Sequence, residues 1–526
     1  MQKSKSSYYN VLHWRDFRLQ IFVEGIIIGL VAGLISVAFR WLIEEADVLR
    51  GKLYQTLKNG NVTHIALWFV VLVVIGFVLG RIVKWEPMSK GSGIPDVEGI
   101  LAGHLKMNWA KVMIAKFVGG VLAIGSGLSL GREGPSVQLG AAVGQGFSRL
   151  MHRFKIEEKY LMTSGASAGL AAAFNAPLAG VIFALEELHK NFSPAVLMSA
   201  MAASLTADFV TQQAFGVKPI FSFQAMSIFP LKYYFYLIIL GLICGAFGAL
   251  FNKTLVRTLD LYEDQIWIPK AFVQAVPLLI AGVLGFVLPQ ALGGGNTLIE
   301  AITKNNFTFL MLFTLVVVKF LFTMASYGSG VPGGIFLPLL VIGALTGDIY
   351  GHTVISVLHL SNHYAINFVV LAMAAYFTAV VKAPVTGSVL ITEMTGSFQH
   401  LLALITVSMM AYVMSDILQA KPIYEQLLTR SLARKGDVVS IGAHDKKVIA
   451  EVAVCMGSEL DGKQIKNISW PDNSLLINIK RGESEIIPKG DTVLISGDYL
   501  YVVINESHAV TTNEKLLAMA EECYDR

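Results

Sequence analysis

The chain of 526 residues is 54% hydrophobic and only 15% charged, with a mean hydropathy of +0.60 and a formal net charge of +4. This composition excludes an ordinary soluble globular protein and predicts a multi-pass protein in the lipid bilayer. Only three cysteines, far apart in sequence, exclude a disulfide framework, and the eleven histidines show no metal-ligand spacing. We expect no metal, no organic cofactor and no nucleic-acid partner for the transmembrane part.

The amino-terminal segment carries Lys3, Lys5, Arg15 and Arg18 before the first apolar run and has no small-residue cleavage site. A second basic group, Lys421, Arg430, Arg434 and Lys435, follows the last apolar run. Basic residues beside membrane spans mark the cytoplasmic side. The sequence therefore predicts that both termini are cytoplasmic and that the number of crossings is even.

Apolar stretches recur from about Ile21 to Leu418. Some of them are expected to span the bilayer, such as Ile65–Val83, Tyr233–Phe251 and Phe309–Met324. Many others have only about 10–14 residues between Gly or Pro breaks, which is too short to cross alone. Backbone that stops being helical at membrane depth must be buried in protein or line a watery cavity. We therefore predict re-entrant half-helices around a site.

The same broken apolar element occurs twice. Residues 125–144 and 328–347 align at a constant offset of 203 with eight of twenty residues identical, and residues 175–187 align with 382–394 at an offset of 207. The pattern predicts an all-α membrane domain made of two inverted repeats, roughly residues 20–225 and 230–430, each with an odd number of crossings. Paired Gly/Pro interruptions in matching halves indicate a transport site made from half-helix ends.

Three glycine-rich turns each lead into an apolar helix, and the residues that shape them are Gly91, Gly93, Pro95, Gly131, Arg132, Gly134, Pro135, Gly334 and Pro338. A helix start leaves free N–H groups and a partial positive charge, worth up to about 2 kcal/mol to a partly buried anion. A single turn of this kind is explained equally well as an ordinary Gly/Pro break in a membrane helix, with no ligand. Three together, two of them repeat mates, favour an anion site without a full positive charge.

The repeats differ at two acidic positions, because Phe336 occupies the place of Glu133, and Met394 that of Glu187. An intramembrane carboxylate is costly and is a functional candidate by default. When Glu133 is ionised it resembles the permeant anion and can occupy the anion's place, and when it is protonated it can swing away. The alternative is a carboxylate that only complements the helix dipole, with Arg132 balancing charge at the rim.

Two adjacent acids end a further apolar helix. Glu186 has a mate in the other repeat, Glu393, which suggests a structural role, whereas Glu187 has none. The alternative for Glu187 is a solvated acid paired with Lys190. Near the equivalent helix of the second repeat, Lys382 is expected to extend its ammonium to the membrane surface.

The three turns resemble the signature motifs of the CLC chloride channel and transporter family, in order and over about residues 20–430. The resemblance implies a homodimer with one pore in each subunit. It implies that a central chloride is held by the Ser92 and Tyr424 hydroxyls and by the backbone N–H groups of Ile335 and Phe336. Serine and tyrosine at these positions are typical of chloride rather than fluoride transport.

The same resemblance gives the two acids their roles. It implies that Glu133 is the gate and outer proton acceptor, and that Glu187 is the inner proton acceptor of the H⁺/Cl⁻ exchanger branch. We therefore expect coupled exchange of chloride for protons, with these two ions as cargo. The alternative is a passive chloride channel gated by voltage or pH. A membrane-embedded enzyme would need a paired nucleophile and base or a metal cluster, and the apolar part has neither, so we do not expect an enzyme.

Composition changes after residue 435. Residues 436–526 contain 15 Asp and Glu against 9 Lys and Arg, a net charge of −6, which leaves +10 for residues 1–435. Strands are expected at Val448–Val454, Ser474–Lys480, Thr492–Ile495 and Tyr499–Ile504, with a helix at Thr511–Glu522. The tail is therefore predicted to be a separate, soluble, cytoplasmic α+β domain.

Two segments of this tail, 457–463 and 486–494, resemble the TrkA-C domain, the carboxyl-terminal half of a regulatory (RCK) module of potassium channels and transporters. The resemblance covers about residues 447–506. It implies a dimerising domain that binds a cyclic dinucleotide or another small ligand, and it indicates a prokaryotic cell membrane. The alternative is a tail that only supports the dimer.

Overall fold

The computed structural model describes residues 14–434, apart from 191, 218, 222, 224–227, 305–306 and 360, and residues 447–521, apart from 473, 483 and 506–508. Two compact units divide between Leu428 and Thr429. The predicted boundary at 435/436, the basic residues Lys3, Lys5 and Lys435, and Cys523 lie outside the described residues. The boundary therefore stays a prediction.

The first unit is helical, and its helices fall into two sets of eight with the same order of long and short elements. The first set is α1 Trp14–Lys58, α2 Val62–Trp85, α3 Ile94–Leu101, α4 Trp109–Gly125, α5 Glu133–Leu150, α6 Lys155–Phe174, α7 Pro177–Phe183 and α8 Pro194–Phe215. The second set is α9 Tyr234–Asp264, α10 Ala275–Val287, α11 Asn296–Lys304, α12 Phe309–Gly328, α13 Phe336–Leu358, α14 Ala365–Val381, α15 Pro384–Thr395 and α16 Leu401–Ile417. A last helix, α17 Ile423–Arg434, follows.

Among the described residues, eight helices are long and apolar enough to cross a membrane. Helices α2 and α12 contain the expected spans Ile65–Val83 and Phe309–Met324, and α9 contains the third, Tyr233–Phe251, except for Tyr233, which ends a preceding 3-10 turn. Helices α3, α7 and α11 have 8, 7 and 9 residues, too few to cross alone. The short helices occupy matching places in the two sets, which agrees with half-helices built into inverted repeats.

The repeats are joined by a reciprocal pair of carboxylates. Glu186, in the π-helical turn Ala184–His189 after α7, accepts hydrogen bonds from the Thr386 N–H at 2.8 Å and the Thr386 hydroxyl at 2.6 Å, at the start of α15. Glu393, near the end of α15, accepts from the N–H groups of Leu178 at 3.1 Å and Ala179 at 2.8 Å, at the start of α7. Each carboxylate satisfies N–H groups at a helix start that has no intrahelical partner. The structural role expected for Glu186 is confirmed.

Lys382 does not extend to a membrane surface. Its side chain is only 7% exposed, and its ammonium lies 2.8 Å from the Asp416 carboxylate on α16. The residue ends α14 in a left-handed conformation (φ 69°), which directs the chain into Ala383 and Pro384. The expectation of snorkelling was wrong because an acidic partner within the protein satisfies the charge.

Helices α5 and α6 approach each other closely because both carry glycine at the contact. A Cβ atom added to Gly140 would overlap the carbonyl oxygen of Gly165, and one added to Gly165 would overlap that of Gly140. Small residues allow membrane helices to pack backbone against backbone. This packing fixes α5, whose first residue is Glu133.

The second unit has a four-stranded antiparallel sheet of order β1-β4-β2-β3. Its elements are β1 Lys447–Ala453, β2 Ser474–Arg481, β3 Ser484–Ile486, β4 Asp498–Asn505 and α18 Ala509–Glu521. Leu500, Val502 and Ile504 alternate along β4 into a core that Leu516 of α18 covers. The predicted small α+β domain is confirmed.

One predicted strand of this domain is absent. Residues 492–495 form no strand, and only Val493 makes an isolated bridge, with Gln464. The backbone of this segment bonds instead to a preceding loop, with the Gly462 N–H donating to Leu494 and the Leu494 N–H to Lys463. The short strand β3, which pairs with β2 as a hairpin, was not expected.

A buried ion pair holds the start of β4. The Asp498 side chain is fully buried and accepts hydrogen bonds from Arg481 Nε at 2.7 Å, Arg481 Nη2 at 2.8 Å and the Ile495 N–H at 3.0 Å. Burial alone would raise the pKa of Asp498, but the Arg481 and Ile495 hydrogen bonds and the Arg481 charge outweigh it and hold that pKa below its usual value. The ionised form is therefore favoured by folding.

Replacing Asp498 by Asn should destabilise this domain by about 1.5–3 kcal/mol at neutral pH, toward the lower end because Arg481 is partly exposed. The stabilisation is present above the unfolded pKa of about 3.9 and is lost as pH falls through the lower folded pKa. Hydrogen exchange of the β4 amides in the full chain should therefore show a difference from wild type at pH 7 that shrinks below about pH 4.

The matched control is Asp491→Asn, because Asp491 makes an exposed ion pair with Lys466 at 2.6 Å. Exposed pairs contribute little, so β4 protection should stay near the wild-type level. Equal loss of protection in both variants would contradict the role given to the Asp498 pair.

Candidate functional site

The three glycine-rich turns meet in the first unit. The Gly91 N–H donates to the Val331 carbonyl at 3.1 Å, and the Gly333 N–H donates to the Gly91 carbonyl at 2.9 Å. Gly131 and Gly334 exchange two further bonds, of 2.7 and 2.8 Å. These four bonds bring together the turns that precede α3, α5 and α13, as the sequence predicted.

Glycine is required where these turns touch. Gly93 has a φ of 87°, in the left-handed region that favours glycine. A Cβ atom on Gly134 would overlap the Ser92 hydroxyl, and one on Gly334 would lie 3.2 Å from the Gly134 nitrogen. The start of α5 therefore lies directly against Ser92 and the turn before α13.

Two buried hydroxyl groups near these turns have no hydrogen-bond partner among the described residues. Ser92 is 1% exposed and Tyr424 is 0% exposed, and neither hydroxyl oxygen has a hydrogen-bond partner among the described residues. A buried polar group left unpaired costs about 1–3 kcal/mol. Two such groups are the kind of donors that a bound anion would satisfy.

The start of α13 adds backbone donors. Ile335 caps this helix and Phe336 is its first residue, and both are fully buried. N–H groups at a helix start have no acceptor within the helix. The Phe336 ring is enclosed by the rings of Phe377, Phe174 and Phe183, at centroid distances of 4.4, 5.0 and 6.2 Å. This aromatic packing holds the helix start in place and excludes water from it.

Glu133 is the first residue of α5 and is buried. Its carboxylate faces the backbone N–H of Leu337, at the start of α13, and its Oε2 atom lies directly against Gly131. Oε2 has no hydrogen-bond partner among the described residues. The side chain thus lies between the starts of α5 and α13, within the group of turns that contains Ser92.

Arg132 pairs with α1 and not with its neighbour Glu133. Its Nη1 atom lies 2.9 Å from the Glu44 carboxylate, which also accepts from Arg40 at 2.8 Å. Arg132 is therefore ion-paired with an acid of α1. Among the described residues, no cation is in direct contact with the Glu133 carboxylate.

Glu187 lies in the π-helical turn after α7 and is buried. Such turns occur frequently at functional sites. Lys190 does not pair with Glu187, because its ammonium lies 2.5 Å from Glu98 of α3. The Tyr424 phenol is within electrostatic range of both Glu187 and Glu133. Both acids thus lie near the unpaired Tyr424 phenol, and among the described residues no cation is bonded to Glu187.

Sequence reasoning missed a pair of buried lysines. Lys116 of α4 donates to the carbonyls of Ser89 and Gly91 at 2.9 and 2.8 Å, and Lys319 of α12 donates to those of Ala291 and Gly293 at 3.1 and 2.6 Å. The two lysines are 203 positions apart, the offset of the repeat. A lysine in the middle of each largely apolar helix, at the repeat spacing of 203, was the signal that could have found them.

Tyr327, at the end of α12, was also missed. Its phenol lies against Gly91 and near the Ser92 N–H. The Ser92 hydroxyl, which has no partner among the described residues, is the group this residue offers to a ligand. Among the described residues, no group of three or more His, Cys, Asp and Glu is placed to hold a metal.

Comparison with known proteins gives two family matches. Residues 75–416 match the family described as Voltage gated chloride channel, and residues 449–516 match the TrkA-C domain. The H(+)/Cl(-) exchange transporter ClcA of Citrobacter koseri is 34% identical over 433 residues, covering 79% of this chain and 90% of the relative. ClcA of Salmonella paratyphi B is 33% identical with the same coverage.

Three solved structures are similar to this chain. A slow cyanobacterial Cl⁻/H⁺ antiporter has a TM-score of 0.76 and 28% identity, covering 79% of this chain and 99% of that one. A eukaryotic CLC transporter (TM-score 0.67, 22% identity, 79% and 74% covered) and a CLC-type fluoride/proton antiporter (0.64, 23%, 77% and 97%) share the fold.

The relatives are transporters, which confirms that the chain is not an enzyme. The family matches cover most of the transmembrane helices and most of the tail domain, and they agree with the fold described above. The chain belongs to the voltage gated chloride channel (CLC) family and has the CLC fold of inverted repeats with broken helices, followed by a TrkA-C domain.

Proposed function

We propose that the chain is a secondary active transporter that exchanges chloride for protons across the membrane. One observation carries the proposal: a buried carboxylate, Glu133, lies at the same group of helix starts as two buried hydroxyls without partners. Two findings support the proposed exchange: the relatives that are named H(+)/Cl(-) exchange transporters, and the similarity to a solved Cl⁻/H⁺ antiporter.

The anion site is built from neutral donors. Ser92 Oγ and Tyr424 OH donate from two sides, and the N–H groups of Ile335 and Phe336 donate from the start of α13. The peptide dipoles replace part of the hydration of chloride, while the lack of a lysine or arginine in direct contact lets the ion leave again. The Ser92 and Tyr424 pair favours chloride over fluoride as the cargo.

Glu133 acts as the gate and outer proton acceptor. Its ionised carboxylate competes with chloride for N–H donors, because both are anions drawn to the same helix starts. Protonation removes the charge and releases the side chain, so that an anion can enter while a proton is carried. The unpaired Oε2 atom supports this role, because both oxygens of the structural carboxylate Glu393 are bonded whereas Oε2 of Glu133 has no partner among the described residues.

Glu187 acts as the inner proton acceptor. It is buried, and among the described residues no cation is bonded to it. Its charged neighbours are three further acids, Glu98, Glu186 and Glu425, and the ammonium of Lys190, which is bonded to Glu98. Glu186 is bonded to the start of α15, which leaves Glu187 as the acid of this pair that is not tied to the second repeat.

We further propose that the chain functions as a homodimer with one pathway in each subunit, in a prokaryotic cell membrane with both termini cytoplasmic. The bacterial relatives support the prokaryotic setting. The TrkA-C match supports a tail that regulates transport by binding a cyclic dinucleotide or another small ligand. Calorimetric titration of the full chain with cyclic dinucleotides tests the first of these ligands, and the absence of binding heat contradicts the proposal of a cyclic dinucleotide.

Replacing Glu133 by Gln removes the titrating group and keeps the shape of the side chain. Proton uptake driven by a chloride gradient in reconstituted vesicles should fall by about tenfold or more, since a neutral side chain cannot carry the proton. Chloride flux should persist without dependence on pH.

The control is Glu45→Gln, the same substitution at an exposed position of α1. It should leave proton uptake at the wild-type level. Proton uptake by Glu133→Gln at the wild-type rate would contradict the gate assignment.

Replacing Glu187 by Gln separates exchange from passive conduction. Proton uptake should fall by about tenfold or more while chloride still moves, because the inner proton acceptor is lost and the anion site is intact. Its neighbour provides the contrast: Glu186→Ala should lower thermal stability by removing both bonds to Thr386, without selective loss of proton movement.

If vesicles that contain the wild-type protein move chloride but no protons, the chain is a passive channel and the proposed exchange is wrong. Retained proton uptake in Glu187→Gln would show that another group accepts the inner proton.

A further inference from the structure

The loop between α9 and α10 exposes two large apolar side chains, Ile266 and Trp267, which we call the apolar tip. Ile266 is 90% exposed and Trp267 is 91% exposed. So large an exposed area is unusual for a tryptophan, because burial of its apolar ring is strongly favourable. Leu261, whose carbonyl accepts the Gln265 N–H at the end of α9, is 70% exposed as well. The apolar tip is therefore a candidate contact surface.

The Gln265 side chain fixes the shape of the loop that carries the apolar tip. Its Nε2 atom donates to the Ile268 carbonyl at 3.1 Å, and its Oε1 atom accepts from the Ile268 N–H at 2.9 Å. These two reciprocal bonds join the residues on either side of the apolar tip. Because the loop is already closed in this way, a partner does not have to order it on binding.

Helix α2 shows where this loop lies relative to the bilayer. It is long and apolar enough to cross a membrane, and only 17% of its most apolar stretch is buried in the protein. Most of its surface therefore faces lipid. The last residues of α2 include Arg81, Lys84 and Trp85, and all three are exposed. Basic residues and tryptophan are enriched where a span leaves the hydrocarbon, so this end of α2 marks the membrane interface.

The loop packs beside this end of α2. A Cβ atom on Gly80 would lie 3.0 Å from the Ala271 carbonyl oxygen, and the rings of Phe77 and Phe272 are 5.7 Å apart. Gly80 precedes Trp85 by five residues, which is about 8 Å along a helix that rises ~1.5 Å per residue. The headgroup layer on each side of a bilayer is about 5–8 Å thick. The loop thus lies near the boundary between headgroups and acyl chains.

Charged residues flank the apolar tip on both sides. Glu263 and Asp264 end α9, Lys270 follows the tip, and all three are exposed. Charged side chains are costly at the centre of a bilayer and are tolerated at its surface. An exposed tryptophan between charged residues matches the interface, where the ring is covered by lipid while its N–H stays hydrated.

We propose that Ile266 and Trp267 insert into the headgroup–acyl boundary of the bilayer and anchor the loop between α9 and α10 to lipid. The apolar tip continues the lipid-facing surface of α2 at interface depth, which favours lipid over a protein as its occupant. This inference goes beyond the proposed function, because it holds whichever ion the chain moves.

The test uses the full chain in phosphatidylcholine vesicles whose acyl chains carry bromine either near the headgroup or near the methyl end. Bromine quenches tryptophan emission on contact, and the emission of Trp267 is the difference between wild type and Trp267→Phe. Bromine near the headgroup should lower this emission by about twofold or more, because the ring lies at the interface. Bromine near the methyl end, and iodide dissolved in the water, should quench it less.

The matched control is Trp470→Phe, the same substitution in the tail domain, where the indole N–H donates to the Ile465 carbonyl at 3.2 Å. The emission of Trp470, obtained by the same difference, should be lowered by neither brominated lipid.

Quenching of Trp267 by iodide but by neither brominated lipid would place the apolar tip in water and overturn the inference. Emission that no quencher reaches would mean that protein, such as a second copy of the chain, covers the tip, and it would overturn the inference as well. Stronger quenching from the methyl end than from the headgroup end would contradict the depth derived from α2.

Discussion

A peptide N–H group without an acceptor inside a bilayer costs several kcal/mol, and this constraint decides where the broken helices of this chain can lie. The turns before α3, α5 and α13 satisfy part of their backbone by bonding to one another. The N–H groups that remain at the helix starts are enclosed by the protein. A dehydrated anion can satisfy them, and the same constraint that makes these ends costly therefore makes them an anion site.

Elsewhere in the chain, carboxylates accept hydrogen bonds from N–H groups at helix starts that have no acceptor within their own helix. Glu186 and Glu393 each accept two hydrogen bonds at the start of a helix in the opposite repeat, α15 and α7, and so join the repeats. Glu133 lies at a similar helix start, but its buried Oε2 atom has no hydrogen-bond partner among the described residues. This unpaired oxygen distinguishes Glu133 from Glu393, both of whose oxygens are bonded, and it supports the proposed exchange of Glu133 for chloride.

Much of this arrangement could be predicted from the sequence, because internal repetition is visible in the sequence itself. The offset of 203 positions predicted the paired half-helices, and the mate of Glu186 predicted its structural role. The convergence of the three turns followed from the resemblance to a known family. Lys382 was misread because its partner, Asp416, is distant in sequence and only the packing of α14 on α16 brings them together. Residues 492–495 read as a strand but bond to a loop, which no alternation of side chains reveals.

The central claim is that chloride and the ionised carboxylate of residue 133 compete for the same donors. Calorimetric titration of the purified full chain with chloride across a range of pH tests this most directly. The affinity of wild type for chloride should fall as pH rises and Glu133 ionises, while the affinity of Glu133→Gln should not change with pH. Equal affinity in the two proteins at every pH would contradict the account.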